Sequence, residues 1–141
     1  MSIVIAAMSD SSASRRAVER TADLFPVSQI LVATVVPADT SARHGGAFER
    51  SPVRCALDEI AVSMAHELVG AACERIGQMA RPIVLRGEPA STLIEFAGAA
   101  RPETIVVGSL GSDSVRSILG DSVGFELLRR APCTVIELGR C

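Results

Sequence analysis

The densest set of groups that could hold a ligand is the stretch GSLGSDSVRSILGDS, Gly108 to Ser122. It follows a short apolar run, Thr104 to Val107. A buried strand, a glycine turn and then a helix is the arrangement by which α/β proteins offer backbone N–H groups to a phosphate. Gly108 and Gly111 leave room for a phosphate at the backbone, and Ser109, Ser112 and Ser122 add hydroxyl donors. The same loop carries Asp113 and Asp121. Two like charges ~4 Å apart repel by about 4 kcal/mol at an effective dielectric near 20. That is roughly a thousandfold in affinity for an anion. A bridging magnesium ion reverses the sign, because the metal charge then dominates the local field. These residues also suit a purely structural role, a tight strand-to-helix turn with serine caps, and the spacing accommodates both readings.

Other reactive groups are sparse. The two histidines, His44 and His66, have no metal-ligand spacing to each other or to a cysteine, which argues against zinc. No G-x-S-x-G elbow is present, so the serines do not suggest an α/β-hydrolase. Cys55, Cys73, Cys133 and Cys141 form no C-x-x-C pair and are expected as reduced thiols, with Cys141 exposed. Glu88 and Glu95 read as solvated, and Arg15, Arg16 and Arg20 as an exposed basic helix face. Arg129 and Arg130 end a helix, where cations favour its dipole. No nucleophile–base pair emerges from spacing, so no catalytic residue is expected.

The elements that must position the loop follow from hydropathy. Five apolar runs, Ile3 to Ala7, Ile30 to Val36, Ile83 to Leu85, Thr104 to Val107 and Cys133 to Leu138, alternate with helical segments. The first four are nearly continuous in apolar residues, as expected of parallel strands covered on both faces. Ser11 and Ser12 can cap a first helix ending near Leu24 before Pro26, and Asp10 reads as a turn or cap residue there. A second helix is expected from Pro52 to Met79, with Leu57, Ile60, Met64, Leu68 and Ala71 along one face. Pro89 opens a third helix to Ala100, with Ser91 and Thr92 in its first turn. A fourth ends near Arg130. This β-α alternation predicts an α/β fold with a parallel sheet and right-handed crossovers. Pro37 to Ser51 is a polar insert without periodicity, expected as the longest and most mobile connection.

A chain of 141 residues suggests one domain, 1–141. With no Trp or Tyr, its core must come from Ala, Val, Ile and Leu. There is no lysine, the net charge is −2, and no basic stripe appears, so nucleic acid is not an expected partner. No apolar run approaches the ~18 residues of a membrane helix, and Ile3 to Ala7 reads as a strand rather than part of a signal peptide. A cytoplasmic location is the resulting expectation.

Four segments, in order, resemble the universal stress protein family. The glycine loop is similar to its G-x2-G-x9-G-[ST] pattern, with Gly108, Gly111 and Ser122 in place and Asp121 at the last glycine position. Gly87 to Ala90 resembles its G-[DE]-P-A segment. Glu103 to Gly108 resembles its fourth strand, and Ala131 to Val135 its A-P-C-P-V strand, with Thr134 for proline. The resemblance implies an open five-stranded, Rossmann-like parallel sheet of order 3-2-1-4-5, with helices on both faces. It implies a nucleotide crevice between strands 1 and 4, where ATP or AMP would be the ligand. An aspartate ending strand 1 would contact the nucleoside, but Met8 stands there. Val35 would lie against adenine, and Gly108, Ser109, Gly111, Ser112 and Ser122 against the phosphates. Met8 and Asp121 therefore point to weakened or lost ATP binding and to a scaffold or adaptor role, the alternative being an ATP or AMP switch with slow or no hydrolysis. The family habit of pairing strand 5 across a two-fold axis implies a homodimer through Thr134, Val135 and Ile136.

Overall fold

The computed structural model describes residues 2–37, 52–77, 79–108, 126–127 and 129–138. Along the chain run β1 (Ile3–Ala7), α1 (Ser12–Leu24), β2 (Gln29–Val36), α2 (Pro52–Ile76), β3 (Ala80–Arg86), α3 (Pro89–Ala100), β4 (Thr104–Gly108) and β5 (Thr134–Leu138). The strands form one sheet in the order β3-β2-β1-β4-β5, and every pairing is parallel. Residues 126–127 and 129–130 are helical, where the fourth helix was expected to end.

Strand alternation divides the core. Ile5, Leu31, Ala33, Ile105 and Val107 face α3 and Leu127. Ala6, Ile30 and Val32 face the other way, against Val18 of α1 and Val69 and Ala72 of α2. Burial on both sides explains why β1, β2 and β4 read as nearly continuous apolar runs. β3 reads differently because it is an edge strand. Its apolar run covers Ile83 to Leu85, but pairing with β2 extends from Ala80 to Arg86 and includes Pro82. Proline is tolerated at an edge, where its missing N–H takes nothing from the ladder.

Local chemistry sets the helix ends. Ser11, not Asp10, is the N-cap of α1, and its hydroxyl accepts from the Ser14 N–H at 3.1 Å. Asp10 instead pairs with Arg15. Glu88, expected to be merely solvated, caps α3. Its carboxylate accepts from the N–H groups of Ala90 and Ser91 at 3.3 and 2.8 Å, ahead of Pro89 at the first helical position. Arg101 closes α3 in the left-handed region, with φ 53°. α2 stops at Ile76 rather than Met79 because Gly77 takes φ +68° and donates back to the Cys73 carbonyl at 2.8 Å.

Most of the expected stripe on α2 faces away from the sheet, although Leu68 packs partly on the α1/α2 half of the core. Leu57, Ile60 and Met64 are each more than half exposed, while Ala65, Val69 and Ala72 are buried. α2 carries two apolar stripes, and the smaller side chains let the helix approach β2 closely. Hydropathy weights the bulkier stripe and so selects the outward one.

Candidate functional site

Register brings the strand ends to one level. Ala6 is paired with Val106 and Ala7 with Ala33, so Met8, Thr34 and Gly108 stand side by side at the carboxyl edge of β1, β2 and β4. An open α/β sheet binds its ligands at this edge, where strand order reverses. The reversal lies between β1 and β4, since β2 and β3 extend to one side and β5 to the other.

Met8 follows β1 directly. Its N–H donates to the Ala33 carbonyl at 2.7 Å, and its side chain is buried in the α1/α2 half of the core. A thioether accepts hydrogen bonds only weakly, so the end of β1 presents an apolar surface. Val35 is one residue past the level of Met8, on the opposite face. Its side chain packs against the α3 half of the core, and the residue also lines the crevice.

Gly108 has a structural reason of its own. A Cβ there would lie 2.9 Å from the Ala13 carbonyl oxygen and the Ser14 Cα, and 3.0 Å from the Ser14 nitrogen. The first turn of α1 packs directly on the end of β4, and only glycine leaves space for it. Ser14 reinforces this corner, its buried hydroxyl accepting from the Ser9 N–H at 2.7 Å. Ser109, Gly111, Ser112 and Ser122, with Asp113 and Asp121, lie outside the described residues, as does the insert after Pro37.

Met8 and Val35 share a cavity of about 680 Å³ that runs down between α1 and α2. Residues not assigned to a site from the sequence also line it. Thr34 lies in its floor, Arg15 and Glu19 come from α1, and Glu67 and Arg75 from α2. Arg75 donates to Glu19 at 2.9 Å and bridges the two helices, while Asp10 engages Arg15. These charges are exposed, so each pair is worth only about 0–1 kcal/mol. Thr34 left a trace in the sequence as the one polar residue within Ile30 to Val36. The α1–α2 ion pair left none, because partners 56 positions apart meet only in the fold.

Two thiols have altered acidity for the same reason. Burial pushes both Cys73 and Cys133 up from the ordinary thiol range, which favours the inert protonated form. Among the described residues, no cluster of three or more His, Cys, Asp or Glu side chains is arranged to hold a metal. No described helix is long and apolar enough to cross a membrane.

Comparison with known proteins adds a family and a fold. The model of the universal stress protein family matches residues 1–136. No curated protein matches. Among solved structures, the universal stress protein UspA from Lactobacillus plantarum superposes with a TM-score of 0.78 at 20% identity, covering 97% of each chain. A universal stress protein family protein from Arabidopsis thaliana with AMP bound gives 0.67 at 21% identity, covering all of this chain and 93% of the other. A universal stress protein in complex with cAMP gives 0.64 at 21% identity, over 97% and 95% of the two chains.

Proposed function

This chain belongs to the universal stress protein family, and we propose that it is a cytoplasmic stress-response module in which ATP binding is weak or lost. In this reading it acts as a homodimeric scaffold or adaptor and not as an enzyme. The observation that carries the reading is Met8. It is buried at the end of β1 and lines the crevice with a thioether, where a nucleoside would need a carboxylate or another strong acceptor. Asp121 adds a negative charge to the loop that would face the phosphates. Isothermal calorimetry with ATP, with and without magnesium, tests it. Without magnesium, the expected dissociation constant is no tighter than about 1 mM, or ~4 kcal/mol of binding. Micromolar affinity overturns the reading.

A second reading is an ATP- or AMP-binding switch with slow or no hydrolysis. It is favoured by the AMP and cAMP that two structural neighbours hold. Mass spectrometry of the freshly purified native protein separates the two. Copurified nucleotide supports the switch, and an empty chain supports the scaffold.

A further inference from the structure

The cavity between α1 and α2 has a chemistry of its own. Its inner surface is formed largely by Met8, Val18, Leu68 and Ala72, all apolar. Set among them is Thr34, only 7% exposed. Thr34 lies two residues after Val32 and so faces the same α1/α2 side of the sheet. Among the described residues, none forms a hydrogen bond with its hydroxyl. A buried hydroxyl without a partner is costly, and one lining a cavity is matched by whatever enters.

The rim decides the charge of that occupant. Asp10, Glu19 and Glu67 stand there against Arg15 and Arg75. Both guanidiniums already have carboxylate partners, and Glu67 remains as surplus negative charge. Among the described residues, an anion would meet no unengaged cation at this mouth and one extra carboxylate. The cavity, at about 680 Å³, is in the ordinary range for small-molecule sites, which are mostly apolar with a few polar anchors.

We propose that the α1–α2 cavity binds an uncharged, mainly apolar small molecule whose single hydrogen-bonding group meets the Thr34 hydroxyl. Because Met8 and Val35 line this cavity, it overlaps the place a nucleoside would take, and the proposal rests on the reading that ATP binding is weak or lost. In this view Met8 contributes an apolar floor in place of a nucleoside contact.

The test uses the full chain and N-phenyl-1-naphthylamine, a neutral fluorophore with one N–H donor that brightens in apolar surroundings. Titration is expected to show saturable, one-to-one binding. Thr34→Val removes the hydroxyl with little change of shape and is expected to weaken binding about fivefold, the factor for one ordinary hydrogen bond. Ala71→Phe, at an exposed position on the cavity wall, is expected to abolish binding while leaving the circular dichroism spectrum unchanged. Absence of saturation overturns the proposal. So does unchanged affinity in Thr34→Val or persistence of binding in Ala71→Phe. Competitive displacement by micromolar ATP overturns instead the reading of weak ATP binding on which the proposal rests.

Discussion

Met8, at the end of β1, and Asp121, in the glycine-rich stretch of the sequence, both differ from what nucleotide binding asks, and each difference is open to experiment. Met8 withholds a hydrogen-bond acceptor, and Asp121 adds charge. The double change Met8→Asp with Asp121→Gly is therefore expected to raise ATP affinity measurably, with calorimetry as the readout. If binding stays undetectable, other walls of the crevice are closed and the two residues do not account for the loss. Gly108 has a different logic. Any β-carbon there meets backbone atoms of Ala13 and Ser14 at 2.9–3.0 Å, and backbone yields less readily than the tip of a side chain. Gly108→Ala is expected to destabilise the fold by about 1–3 kcal/mol, the usual cost of overpacking. Urea denaturation measures it, and an unchanged midpoint would mean that α1 can shift away from β4.

Among the elements, α3 and α2 carry the clearest expectations. Hydrogen bonds from Ser91, foremost, hold the Glu88 carboxyl below the usual glutamate range. A folded pKa below the unfolded value means stabilisation that is in place above about pH 4.3 and is lost as pH falls through the folded value. Glu88→Ala is therefore expected to lower stability near neutral pH by about 0.5–1 kcal/mol, a modest value for an exposed cap. The gap to the parent chain should close toward pH 3 in thermal melts. Equal gaps at both pH values would argue that the side chain acts through packing. On α2, the outward stripe predicts that Ile60→Glu changes stability by no more than about 0.5 kcal/mol, as for ordinary surface positions. Val69→Ala, one of the buried positions, should cost more. A large loss at Ile60 would place that stripe in an interface or in the core.

For the whole molecule, the open question is assembly. β5 pairs with β4 along one edge and is the last strand of the sheet. Unpaired N–H and C=O groups on such an edge favour pairing with another copy, and a two-fold contact is the commonest closed solution. Register sets Val135 level with Ile105 and Ile136 level with Val106, so the two side chains lie on opposite faces. Val135 packs on the α3 half of the core. Sedimentation at micromolar concentration is expected to show a dimer in which Thr134, Val135 and Ile136 lie at the contact. Ile136→Asp is the cleaner disruption and should shift the equilibrium to monomer, because Val135→Asp also disturbs packing within the chain. A parent chain that sediments as a monomer rejects the assembly, and a dimer insensitive to both changes moves the contact elsewhere.

The order of strands and helices was legible in the sequence because it depends on local signals. Nearly continuous apolar runs mark strands buried on both faces, and Ser11, Pro26 and Pro89 punctuate the helices. The family signature at Gly87 to Ala90, Glu103 to Gly108 and Ala131 to Val135 was likewise a matter of residue order. The placement of α2 was not legible, since two apolar stripes on one helix are equivalent until a sheet selects the one that packs closest. Nor was the true length of β3, whose ends are held by backbone pairing to β2 rather than by apolar side chains. The α1–α2 cavity is the clearest case. Met8, Thr34, Glu19 and Arg75 come from four separate segments, and their juxtaposition depends on a register and a helix spacing that no single segment encodes. Sequence determines which groups the chain possesses and in which local conformations. Only packing decides which of them share a cavity, because contact between distant segments is a property of the assembled layers.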